Sequence, residues 1–158
     1  MKNVGESRNI LKTSARLKGC LEALGQAEPV GAGRIVFHTG DKNLGVFLVC
    51  KGKVCLRVEG LPQLDRTFPA GSLLGLPATF TASEYSLTAV CVTDSEVIRV
   101  PAEEFLRLMQ EQPDLCREAN DMLSREVLFI HSAMAQRMRA LSPSDGTSRK
   151  PVVTKLRA

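Results

Sequence analysis

No stretch of this 158-residue chain comes near the roughly 18 apolar residues of a membrane-spanning helix. Its first residues, Met1 to Arg8, carry charges with no apolar segment behind them. A secretion signal is therefore not expected, and the cytoplasm is the default location. The five cysteines, Cys20, Cys50, Cys55, Cys91 and Cys116, contain no Cys-x-x-Cys pair. That leaves a zinc or iron–sulfur site without a framework. They read as small buried hydrophobes in a reducing compartment, and Cys50 and Cys55 are not read as a redox pair. Histidine occurs only at His38 and His131, and neither stands in a motif with Ser or Cys. No paired carboxylates fall at a catalytic spacing. The chain reads as a non-enzyme without a resident metal.

What is present suffices for one domain. Hydrophobic residues make up 44% of the chain and charged residues 24%. The net charge of +4 owes much to Arg149, Lys150, Lys155 and Arg157. A basic tail can touch nucleic acid or acidic lipid. This one has no aromatic residue and no DNA-reading motif, so residues 142–158 read as a flexible, solvated tail.

Residues 1–24 read as a helical segment, with Ile10, Leu11, Leu17, Leu21 and Leu24 near helical spacing and Gly25 as a stop. From 25 to about 100, short apolar runs are bounded by Gly, Pro, Asp or Asn. The runs are Arg34–Phe37, Val46–Cys50, Lys53–Glu59, Leu64–Phe68, Ser86–Val92 and Glu96–Val100. Val54, Leu56 and Val58 alternate with more polar neighbours, which gives one buried face. Lys51-Gly52 reads as a hairpin turn. So many short strands favour a double-stranded β-helix, or jelly roll, mainly β with flanking helices.

After Val100 the period returns to that of a helix. Pro101 starts one helix and Pro113 another, the second running to about Leu141. Cys116, Asn120, Leu123, Val127, Ile130, Met134, Arg137 and Leu141 recur at spacings of four and three, a coiled-coil seam with polar interruptions. Leu115, Ala119, Met122, Phe129 and Ala133 make a second stripe. At 1.5 Å rise, about 28 residues span roughly 42 Å, more than a small roll covers. A homodimer through Asn120, Leu123, Val127, Ile130, Met134 and Leu141 is expected.

The order helix, roll, short helix, long helix resembles the cyclic-nucleotide-binding domain of the catabolite-activator and FNR-like regulators. Four pieces carry it: Gly31–Asp41, with its closing Gly-Asp turn; Gly45–Val54; Ala70-Gly-Ser-Leu-Leu-Gly75; and Thr93–Val100. The resemblance covers about residues 15–141. It implies a regulatory, ligand-sensing module with a phosphate-binding cassette, in which an arginine holds the cyclic phosphate and a glutamate the ribose. Gly75 matches the glycine before that glutamate. Leu76 stands at the glutamate position, and Pro77, next to it, has no N–H. Ala78 matches the family's small residue. Tyr85 stands where the arginine belongs, beside Ser86 and Thr88, and no arginine occurs between Arg66 and Arg99.

Ordinary cyclic AMP binding is therefore not expected, since a desolvated phosphate without its cation loses several kcal/mol. Three readings of the pocket stay open. In the first, which ranks ahead, Gly75, Leu76, Ala78, Tyr85, Ser86 and Thr88 line a site for another small metabolite. In the second, the pocket is collapsed and the chain is a dimeric protein-interaction module. In the third, Ser86, Thr88 and backbone N–H groups hold a cyclic nucleotide atypically. A sensor should have a continuous cavity beside Tyr85; an interaction module should have it filled by Leu76, Tyr85 and Met122 or their neighbours. The family often continues into a helix-turn-helix, but the 17 residues after Leu141 are too few and too broken for one. Direct DNA reading is not expected, and either output passes to a protein partner or the chain is an orphaned effector domain. Haem on His131 is the weaker alternative to a surface histidine.

Overall fold

The run Val46-Phe-Leu-Val-Cys50 is apolar at every position because both of its faces are covered. Phe47 and Val49 point into one core with Val54, Leu56, Ala89 and Val97. Val46 and Leu48 point the other way, into a second core with Leu17, Leu21, Val100 and Phe105. Strand alternation makes this division unavoidable. The first core fills a roll of strands; the second seals one sheet of the roll under helices. The computed structural model describes residues 12–141, without the side chains of Ile130, Ala133, Arg137, Ala140 and Leu141.

In chain order the elements are α1 (Ala15–Leu24), β1 (Gln26–Val30), β2 (Ile35–Phe37), β3 (Val46–Lys51), β4 (Val54–Arg57) and β5 (Arg66–Phe68). Then come β6 (Leu73–Leu74), α2 (Leu76–Thr81), β7 (Thr88–Cys91), β8 (Ser95–Val100), α3 (Ala102–Glu111) and α4 (Pro113–Leu141). Two four-stranded sheets form, β1-β8-β3-β6 and β2-β7-β4-β5. Every pairing is antiparallel. This is the expected jelly roll with flanking helices and a long C-terminal helix.

Several boundaries differ from expectation, each for a local reason. Within the described residues the first helix begins only at Ala15, where the Ser14 hydroxyl accepts the Leu17 N–H at 3.1 Å. The fourth run loses its start to a 3₁₀ turn at Pro62–Leu64. Just beyond that turn, the Asp65 carboxylate accepts the Val58 N–H at 3.2 Å. Lys51-Gly52 turns the chain, but β3 and β4 lie in different sheets and do not pair as a hairpin. The strand β1 was not expected. It is an exposed edge strand containing Pro29, so it lacks the buried alternation that marks a strand. The tail 142–158 lies outside the described residues.

At its start α4 is part of the core. Leu115, Ala119 and Met122 are buried against α3 and the outer face of the roll. Further along, Leu128, Met134 and Met138 are exposed. The helix is therefore anchored at one end and presents apolar surface at the other.

Candidate functional site

The turn into α2 depends on two glycines that face each other. Gly45 (φ 115°) cannot carry a side chain, since a Cβ there would lie 2.0 Å from the Val100 carbonyl oxygen. Gly75 (φ 90°) precedes α2, and a Cβ would meet the Gly45 carbonyl at 3.0 Å and the Tyr85 ring at 3.3 Å. Asn43 fastens the two segments. Its Oδ1 accepts the Gly45 N–H at 2.8 Å and the Thr79 hydroxyl at 3.2 Å, and its Nδ2 donates to the Ala78 carbonyl at 3.3 Å.

Tyr85 closes the arrangement. Its hydroxyl donates to the Gly45 carbonyl at 2.7 Å and accepts the Leu44 N–H at 2.9 Å. Its ring stacks on Phe37 with centroids 4.0 Å apart. Burial pushes the phenol above its ordinary pKa, against the pull of the two hydrogen bonds. Its backbone carbonyl accepts the Gly40 N–H at 2.8 Å, and its N–H donates to the Asp41 carbonyl at 3.2 Å. The Gly-Asp turn is thereby stitched to the end of the cassette.

The space left beside Tyr85 is about 20 Å³. That holds about one water, whereas small-molecule sites run to several hundred Å³. Of the six residues expected to line a pocket, Gly75, Ala78, Tyr85 and Ser86 line this remnant. Leu76 does not. It is fully buried and belongs to the helix-side core with Leu73, Phe105 and Met109, because the first turn of α2 aims it away from the roll. Thr88 has its hydroxyl committed to the Thr39 N–H at 3.0 Å. Met122 likewise sits in the helix-side core.

A carboxylate that the sequence analysis passed over faces the same spot. Glu126 on α4 lines the remnant cavity. The residue is only half-buried, but its carboxyl head is enclosed. Burial pushes its pKa up to about 8, while the Gly75 backbone N–H, donating to the carboxyl, and the Arg66 guanidinium draw it down. Arg66 in turn lies 4.4 Å from the Phe129 ring centroid. The glycine that resembles a phosphate cradle thus offers its N–H to a group of the chain itself.

The other expected residues fall as follows. His38 and His131 are exposed. All five cysteines are free, with burial pushing the Cys50 and Cys55 thiols up. Among the described residues no group of three or more His, Cys, Asp or Glu could hold a metal. None of the described helices is long and apolar enough to cross a membrane. Of the expected dimer residues, Asn120 and Met134 are exposed and Leu123 and Val127 half-buried. The side chains of Ile130 and Leu141 lie outside the described residues.

A jelly roll with a glycine-framed turn into a short helix, followed by a long helix, is the architecture of cyclic-nucleotide-binding regulators. The family model for the cyclic nucleotide-binding domain matches residues 27–112, and the chain belongs to that family. It is 27% identical over 121 residues to lysophospholipase NTE1 of Chaetomium globosum, covering 75% of this chain and 7% of that protein. It is 30% identical over 120 residues to the Pycsar effector protein XpPycTIR of Xanthomonas perforans, covering 75% of this chain and 39% of that one. The chain therefore spans a minor part of the curated relatives it matches. The crystal structure of the Thermus thermophilus catabolite activator protein superposes with a TM-score of 0.62 at 23% identity, over 81% of this chain and 60% of that one.

The enclosed carboxyl sets a pH dependence. Its folded pKa of about 8 lies above the ordinary 4.5. Between these values the folded protein holds a proton that the unfolded chain has released. The resulting stability is complete below the lower value and is lost as pH rises through the upper one. The urea midpoint is expected to fall between about pH 4.5 and pH 8, and Glu126→Gln to flatten that fall. An identical decline in the variant would show that Glu126 is solvated.

Proposed function

We propose that this chain is a non-enzymatic regulatory module of the cyclic-nucleotide-binding family whose cassette does not take ordinary cyclic AMP. The observation that carries this reading is the Tyr85 hydroxyl, bonded at once to Leu44 and Gly45 where the resemblance calls for a cation. A cyclic phosphate there would meet a phenol already committed to the backbone, a proline without an N–H, and a Gly75 N–H already taken by Glu126. It would lose its charge-assisted partner and would have to displace packed groups. The roughly 20 Å³ beside Tyr85 favours the filled pocket over a metabolite site in the cassette itself.

In this reading the output runs through α4 to a twin or to a protein partner. The helix is packed on α2 and α3 at its start and exposes Leu128, Met134 and Met138 beyond. Met134 and Met138 share one helix face with Leu123 and Val127, a stripe suited to a partner helix. The proposed cellular setting is the cytoplasm.

Thermal unfolding with cyclic AMP and cyclic GMP tests the first claim. A ligand present at a hundredfold its Kd adds about 2.7 kcal/mol to the native state. No shift in midpoint is expected with millimolar nucleotide, whereas a rise of several degrees would mean that Ser86, Thr88 and the backbone suffice for binding. Sedimentation equilibrium tests the second claim. Twice the 17.2 kDa chain mass is expected, and a monomer at micromolar concentration would overturn the dimer.

A further inference from the structure

The helices α1 and α3 touch but do not close fully on each other. An open cavity of about 350 Å³ lies between them, within the size range of small-molecule sites. Cys20, Ala23 and Leu24 of α1 and Leu108 of α3 form its apolar side. Leu108 is part of the helix-side core, and Cys20 and Leu24 pack against that core. The floor of the cavity is therefore held in shape by buried neighbours.

Its charged side comes from α3. Among the described residues that line it, the one cation, Arg107, is held by Glu104 at 3.0 Å. Glu111, one turn beyond Arg107, has no ion pair among the described residues. The helix ends add to this negative charge. Leu24 and Glu111 are the last residues of α1 and α3, so two helix C-termini meet at one cavity. A helix C-terminus carries a partial negative charge, which a basic residue in the last turn offsets. Neither helix has a basic residue there. Two negative helix ends and an unpaired carboxylate thus border an apolar hollow whose own cation is already taken.

We propose that this cavity binds a small organic cation, an ammonium or guanidinium head on a short aromatic or branched apolar body. The head lies between Glu111 and the two helix ends, and the body covers Cys20, Ala23, Leu24 and Leu108. The rim is open to water, so the charge sets which ligand is preferred while the apolar contact supplies most of the affinity. The site shares no residue with the space beside Tyr85 and lies on no part of α4. It stands whether or not the cassette takes a nucleotide.

Phenethylamine, charged at neutral pH, is the probe. Titrated into isotope-labelled protein and followed by amide NMR, it is expected to give saturable shifts at Cys20, Leu24, Leu108 and Glu111. Phenethyl alcohol, its neutral counterpart, is expected to bind roughly fivefold more weakly, and hydrocinnamate, of opposite charge, not at all. Glu111→Gln should weaken the amine roughly fivefold, the loss of one exposed charge pair, and leave the alcohol unchanged. Ala23→Phe, at an exposed place on α1, fills the hollow and should abolish binding while the unfolding midpoint stays. An absence of saturable shifts at millimolar amine would overturn the site. So would equal binding of the amine, the alcohol and hydrocinnamate, or undiminished binding by a folded Ala23→Phe. Shifts confined to residues 75–88 would overturn it too, and would separately show that the cassette is open.

Discussion

The bond from the Tyr85 hydroxyl to Gly45, paired with the one it accepts from Leu44, is the constraint on which the rest of the site turns. It joins the start of β3 to the segment after α2, two stretches forty residues apart in sequence. Once it forms, the ring is held flat against Phe37 inside the roll, and the backbone of Tyr85 is in register to meet Gly40 and Asp41. An arginine in the same place would bring a charge into this apolar interior and would need an anion to stay there. A tyrosine needs only the two backbone groups beside it. In the proposed reading, Tyr85 makes a self-satisfied joint where the family resemblance calls for a charged one.

The long helix depends on the same region. Its first turns are held by Leu115, Ala119 and Met122 in the helix-side core. Its next inward group is not apolar but Glu126, which reaches the Gly75 N–H and lies near Arg66. The roll and α4 are thus linked by a polar contact at the very glycine that frames the cassette. Such a contact is weaker and more conditional than packing, which fits a junction whose geometry is meant to respond. The exposed Leu128, Met134 and Met138 lie beyond it.

Much of this was legible in the sequence. The glycine frame of Gly45 and Gly75, the period-two runs and the paired helix starts at Pro101 and Pro113 specify the roll and its helices because each reflects a local steric rule. What sequence could not give were features set at long range. Leu76 looks like a pocket residue by position, but the first turn of a six-residue helix rotates it into the other core. The strand β1 hides because an edge strand with both faces exposed has no pattern to show. Glu126 belongs to no motif. It matters only because α4 brings it back to Gly75, fifty-one positions earlier.

The central claim is that groups of the chain itself fill the nucleotide seat. Amide hydrogen exchange at Leu44 and Gly75 in the free protein tests it most directly, since their N–H groups are the ones taken by Tyr85 and Glu126. The account predicts protection comparable to that of the neighbouring strand amides of Phe47 and Leu74. Exchange at the rate of an exposed loop at both positions would contradict it, and would mean that the seat stands open for a ligand.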